Sequence, residues 1–281
     1  MNFDKFQILE FKLDKIKDGS HPAIVMIAKR RSGKSWITRD VIFRFRHVPG
    51  GVVISPTDRL SYFYKFFFPD LYIHYDIKEV IFKKILLRQR LMVQKKKEKA
   101  RRGLKVDASC MLIMDDCLSQ AKTWAKDQTI KEILMNGRHY ELTYILTMQT
   151  PLGIPPDLRL NFDYVFLLKE DSTINRKKLY DNYASMFPTL AHFDKVFTEC
   201  TKDFCCMVID NQKTTEIIQD KVFWFKAKER KFSFGSKKYK DLHKKYYDPH
   251  YMHKRDQELI QAGGIFNLKK RNDPEINVEK I

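Results

Sequence analysis

The residue types best suited to chemistry are concentrated in Ala28-Lys29-Arg30-Arg31-Ser32-Gly33-Lys34-Ser35. The stretch fits the phosphate-binding pattern G-x-x-x-x-G-K-[ST] at every defined position except the first, where Ala28 stands for glycine. In that pattern consecutive backbone N–H groups and a helix N-terminus cradle phosphate oxygens. Lys34 would reach the β- and γ-phosphates of a bound triphosphate, and the Ser35 hydroxyl would ligate Mg²⁺. Lys29, Arg30, Arg31, Ser32 and Gly33 complete the cradle. The first three either add favourable field beside a triphosphate or stand as solvated charge. Alanine at the first position suits the motif only if its φ stays negative, because a Cβ makes positive φ costly.

Phosphoryl transfer on such a loop needs a second strand whose tip carries an acid for the metal. Met111-Leu112-Ile113-Met114-Asp115-Asp116 has that form. Asp115 falls at the tip as metal ligand, and Asp116 follows as base or orienter of an attacking water. Adjacent acids after an apolar run also mark a strand end meeting solvent; Lys34 and Ser35 weigh for the metal site. Gln149 ends the apolar run Tyr144 to Met148. It either senses the γ-phosphate or attacking water, or caps the turn before Pro151. Arg138, in Asn136-Gly137-Arg138-His139, follows a predicted helix over 129–135. It is either a transition-state cation, acting in a neighbouring subunit, or a surface arginine at a helix C-terminus.

These residues require particular elements to hold them. The run Ala23 to Ala28, after the turn cluster Gly19-Ser20-His21-Pro22, reads as a buried strand. A helix is predicted from Trp36 to Phe45, with Ile37, Val41 and Phe45 at four-residue spacing, stopped by Pro49-Gly50-Gly51. A strand at Val52–Ile54 completes a βαβ unit. Further strands are predicted at 111–114, 144–148, 164–168 and 205–210. The segments 214–218 and 222–225 read as a hairpin or an edge extension. The expected fold is α/β, with a mostly parallel central sheet and helices on both faces. Residues 1–225 would form this domain. Residues 226–281, polar, basic and without apolar period, would be an extended or partly helical appendage of low order.

Composition narrows the partners. Of 281 residues, 53 are Lys or Arg and 35 Asp or Glu, a net charge of +18 that favours nucleic acid or nucleotide. With 43% hydrophobic residues and only 10 Gly and 10 Pro, disorder and collagen-like repeats are excluded as the main character of the chain. Five cysteines, an odd count without a C-x-x-C pair, support neither a disulfide framework nor a zinc knuckle. No apolar run approaches the roughly 18 residues of a membrane span and the first residues lack a signal-peptide pattern, so a soluble intracellular protein is expected. A basic helix is predicted over 82–102, ending at Gly103. Its Lys95-Lys96-Lys97, and the pairs Lys237-Lys238 and Lys244-Lys245 with Lys269-Lys270-Arg271, are candidate phosphate-backbone contacts. The aromatic stretch Tyr62 to Phe68 reads as core or subunit interface rather than a base-stacking surface.

With these pieces in order, the sequence resembles the HerA/FtsK class of P-loop motor ATPases, and within it the poxvirus-type genome-packaging ATPases of nucleocytoplasmic large DNA viruses. The resemblance rests on Ala28 to Ser35, on Met111 to Asp116, and on Gly137 to Pro151 continuing through Pro156-Asp157-Leu158-Arg159 to Asp163. It covers residues 23–210. It implies a RecA-like core, a ring or other homo-oligomer, ATP and Mg²⁺, double-stranded DNA, and a capsid or virion membrane protein at the packaging site. It also implies work in the host cytoplasm, at the viral factory, and in the virion. By motif match Lys34, Ser35, Asp115, Asp116 and Gln149 inherit the phosphate, metal, catalytic and sensor roles. Arg138 inherits the arginine finger, with Arg159 second. Much of the class has Glu at the position of Asp116. Two alternatives stand beside the motor: a P-loop kinase of a small molecule or nucleoside, and a non-catalytic nucleic-acid-binding protein with a degenerate nucleotide site, suggested by Ala28.

Overall fold

A computed structural model of the chain describes residues 7–117 and 127–251, with residues 254 and 257. Nine strands in these residues form one sheet in the order β1-β9-β8-β7-β2-β6-β5-β3-β4. They are β1 (Leu9–Glu10), β2 (Ala23–Ile27), β3 (Gly51–Ile54), β4 (Ile73–His74), β5 (Cys110–Met114), β6 (Leu142–Met148), β7 (Tyr164–Leu167), β8 (Cys206–Asp210) and β9 (Val222–Phe225). Only β8 runs against its neighbours. The longer helices are α1 (Lys34–Arg44), α2 (Glu79–Ala100), α3 (Gln128–Asn136), α4 (Thr173–Tyr183), α5 (Leu190–Cys200) and α6 (Lys237–Tyr246).

Parallel strands require crossovers, and crossover helices cover both faces of the sheet, which is why the central strands β2, β5 and β6 are buried at every position. All five residues of β2 are buried. Ala23, Val25 and Ile27 join the core beneath α2, α3, α4 and α5, while Ile24 and Met26 join the core beneath α1. The sequence also marks where helices begin. Side chains of Asp127, Ser172, Thr189 and Ser236 accept hydrogen bonds from backbone N–H groups in the first turns of α3, α4, α5 and α6.

Two expectations need adjustment, and one holds. The pair 214–218 and 222–225 is not a hairpin: Ile218–Lys221 is a helical turn, and β9 is an edge extension, antiparallel to β8 and parallel to β1. The stretch Tyr62 to Phe68 does supply core, through buried Tyr64, Phe67 and Phe68.

The larger change is after Phe225. Residues 226–251 are not a low-order appendage. Phe234 is fully buried and stacks on Phe68 at 4.5 Å. The Tyr239 ring stacks on Tyr72, and its hydroxyl donates to the Gly51 carbonyl at 2.7 Å. Asp40, buried inside α1, accepts from the Lys228 N–H and the Arg230 Nε at 2.7 and 2.8 Å. The segment closes the α1 face of the sheet, using aromatic residues too irregularly spaced to show a period. Residues 258–281, including Lys269-Lys270-Arg271, lie outside the described residues.

Candidate phosphate-binding and catalytic site

Strands β2, β6 and β5 are adjacent and parallel, so their C-terminal tips share one edge of the sheet. The candidate loop follows β2, Gln149 follows β6, and Asp115-Asp116 follow β5. Because β6 lies between the other two, Gln149 emerges between the loop and the acids. Such strand tips are where α/β sheets place ligands.

The loop has the backbone that phosphate binding demands. Ala28 continues the ladder, its N–H bonded to the Met148 carbonyl at 2.9 Å, and its φ is not positive, which removes the objection to alanine there. Positive φ falls instead at Arg31 (62°) and Gly33 (91°). Gly33 opens α1, and Ser32 Oγ pins the turn by donating to the Lys29 carbonyl at 2.7 Å. A left-handed residue before a helix makes a concave nest of N–H groups. Lys29 pairs with Asp171, and that contact holds the Asp171 carboxyl below its ordinary value.

Lys34 Nζ stands 2.8 Å from Asp115 Oδ1 and 3.3 Å from Thr147 Oγ1. Thr147 in turn donates to Asp115 Oδ1 and accepts from the Asp116 N–H at 3.3 Å. Strand register explains this: Met114 is level with Leu146, so the next residues along, Asp115 and Thr147, face each other. Asp116 has φ of 55°, which ends the strand and turns the carboxylate toward Gln149, whose Nε2 donates to Asp116 Oδ1 at 2.5 Å. Asp tolerates this conformation better than most residues. Thr147 escapes motif reading. Its signal is a buried hydroxyl one residue from the tip of β6, on the side of the sheet edge that carries the acids.

Behind Asp115, Ser55 Oγ and Asp58 Oδ2 are buried without a hydrogen-bond partner. Burial raises the Asp58 carboxyl above its ordinary value despite bonds from Ser61 and two backbone N–H groups. Burial, then the charge of Asp115, pushes the Tyr64 phenol far up. Among the described residues no cluster of three or more His, Cys, Asp or Glu forms a metal-binding group. The oxygen donors Ser35 and Asp115 suit Mg²⁺, which keeps waters and uses one or two protein ligands alongside phosphate oxygens.

The loop opens on a cavity of about 660 Å³ that Trp36, Gln149, Phe204 and Lys226 also line. Two predicted residues are elsewhere. Arg138 precedes β6, so the seven residues of that strand, roughly 20 Å of chain, separate it from the Gln149 end. There it lines a basic cavity of about 810 Å³ with Lys96, Lys97, Lys105 and His139. Arg159 is committed within its own chain to the Ile154 carbonyl, at 2.9 Å, and to Asn182.

No family model matches the chain. Protein L437 of Acanthamoeba polyphaga mimivirus is 60% identical over 278 residues, covering 99% of this chain and 97% of that protein. Protein 088R of Invertebrate iridescent virus 3 is 32% identical over 81% of this chain and 85% of its own. The chain belongs to this viral family. Protein 075L of Invertebrate iridescent virus 6, 33% identical over 81% of this chain, is a further member. Among solved structures, the genome packaging NTPase B204 of Sulfolobus turreted icosahedral virus 2, in complex with AMPPCP, superposes with a TM-score of 0.52 at 17% identity. It covers 75% of this chain and 100% of its own. The pCW3 conjugation coupling protein TcpA, with ATPgS, superposes at 0.50, 12% identity, over 85% of this chain and 66% of that chain. These likenesses show the fold alone, an α/β core with a mostly parallel sheet. No described helix is long and apolar enough to cross a membrane.

Proposed function

We propose that the chain is an ATP-driven motor that moves double-stranded viral DNA into preformed capsids. The observation that carries the catalytic half is the meeting of Lys34, Asp115, Thr147, Asp116 and Gln149 at the tips of three adjacent parallel strands. Lys34 would exchange its Asp115 contact for the β- and γ-phosphate oxygens, and the nest from Arg31 to Lys34 would hold the phosphates through backbone N–H groups. Ser35 and Asp115 would hold Mg²⁺, whose chemistry when bound would be neutralisation of charge on the phosphate oxygens. Asp116 would orient the attacking water and take its proton, held in place by Gln149 Nε2. Catalysis of this kind is mostly positioning and electrostatic stabilisation, and the contacts among these residues support that reading.

The motor half is supported by the fold shared with a packaging NTPase and a conjugation coupling protein, by the viral origin of the relatives, and by the charge of +18. On this reading the chain works as a homo-oligomer, binds a capsid or virion membrane protein, and acts in the host cytoplasm and the virion. Steady-state ATP hydrolysis with and without long duplex DNA, for the wild type, Lys34→Ala and Asp116→Asn, tests it. Turnover raised by duplex and lost in both variants is expected. Turnover indifferent to DNA but raised by a small phosphate acceptor would identify a kinase instead. DNA binding without turnover would identify a degenerate site.

A further inference from the structure

The cavity at the phosphate loop has walls that the phosphate and metal roles leave unused. Trp36, directly after Ser35, is 54% exposed, and Phe204, between α5 and β8, is 73% exposed. Most Phe side chains of the described residues are in the core, so two exposed aromatic residues on one cavity call for a ligand. Phe204 is held there by an unusual backbone. Asp203 and Phe204 have φ of 50° and 60°, consecutive left-handed conformations that are unfavourable outside glycine and concentrate at functional sites. In this conformation the Phe204 side chain covers the loop: a Cβ built on Gly33 would stand 3.7 Å from Phe204 Cδ1.

The direction of a bound triphosphate selects between the walls. Lys34 reaches toward Asp115, which with Gln149 and Asp116 marks the γ-phosphate side. The nucleoside must then leave by the other side, where Trp36, Phe204, Lys226 and Ala227 line the cavity. We propose that Trp36 and Phe204 form a stacking slot for the base of a purine nucleoside triphosphate. The proposal rests on the nucleotide-binding reading above. Stacking favours the larger purine ring, and loss of one aromatic contact to a base weakens binding by about tenfold or more.

Calorimetric binding of ATP and of inorganic tripolyphosphate, both with Mg²⁺, to the full chain separates base from phosphate recognition. Phe204→Ala and Trp36→Ala are expected to weaken ATP about tenfold and to leave tripolyphosphate within about twofold. Phe204→Tyr should retain wild-type affinity, and Lys34→Ala should lose both ligands. A parallel loss of ATP and tripolyphosphate in the alanine variants would make the rings structural and overturn the slot, as would no loss of either. Wild-type protein binding tripolyphosphate as tightly as ATP would overturn the slot and leave the phosphate site standing. Wild-type protein binding neither would overturn both.

Discussion

Thr147 occupies the centre of the candidate site, touching Lys34, Asp115 and the Asp116 N–H. Thr147→Val keeps shape and removes the hydroxyl, leaving Asp115 with one fewer donor. Hydrogen bonds to charged groups contribute about 1.5–3 kcal/mol, so kcat for ATP should fall roughly tenfold to a hundredfold while ATP affinity changes much less. An unchanged kcat would remove Thr147 from the machinery. Asp116→Asn should cost about 10²–10⁴ in kcat, the range for a positioned general base, with nucleotide binding retained. The placement of Lys34, Ser35, Asp115 and Gln149 was legible in the sequence because motif spacing and apolar runs fix which strand tip carries each of them. Thr147, Trp36 and Phe204 were not, because their roles depend on register across strands and on a turn distant in sequence.

At the scale of elements, the loop after β3 stores a cost. Asp58 is buried with one carboxylate oxygen unpartnered, and burial raises its folded carboxyl above the ordinary 3.8. A folded value above the unfolded one means stability is lost as pH climbs from the unfolded value through the raised folded one. Asp58→Asn lacks that titration while preserving the oxygen that accepts from the Phe63 and Tyr64 N–H groups. The variant should therefore be more stable than wild type at pH 7, and should lose that advantage at pH 4 and below. Denaturant melts at the two pH values check this; a constant difference would refute it. The segment after β9 offers the opposite case. Tyr239→Ala removes a ring stacked on Tyr72 and a hydrogen bond to Gly51, and should destabilise by about 3–5 kcal/mol. Truncation after Phe225 should leave an aggregating protein, because Phe68 and Asp40 lose Phe234, Lys228 and Arg230. A soluble, cooperatively melting truncation would show that this segment is dispensable. The strands were legible because doubly covered parallel strands are continuous apolar runs. The C-terminal segment was not, since its anchors are isolated aromatics in a basic stretch.

At the scale of the whole molecule, one arginine and one nucleotide loop stand at opposite ends of the same sheet. Arg138 precedes β6 and the loop follows β2, with β6 and β2 parallel, so on the motor reading proposed above Arg138 would serve a neighbour's triphosphate rather than its own. Head-to-tail contacts between identical subunits bring unlike ends together and close into rings, whereas two-fold contacts join like ends. On the same reading the cavity beside Arg138, where Lys96, Lys97, Lys105 and His139 outnumber Asp107 and Glu141, would face the neighbouring subunit. This arrangement predicts complementation. Arg138→Ala alone should abolish most turnover while retaining ATP binding, and Lys34→Ala alone should abolish both. In a mixture of the two, an intact loop from the Arg138→Ala subunit meets an intact Arg138 from the Lys34→Ala subunit. For random equal mixing in a ring, about a quarter of interfaces carry both, so hydrolysis should recover to about a quarter of wild type. Hydrolysis measured on co-assembled variants, with each variant alone as control, decides the matter. If Arg138 were a surface cation without a catalytic role, Arg138→Ala alone would keep its turnover; if it served its own loop, mixing would restore nothing.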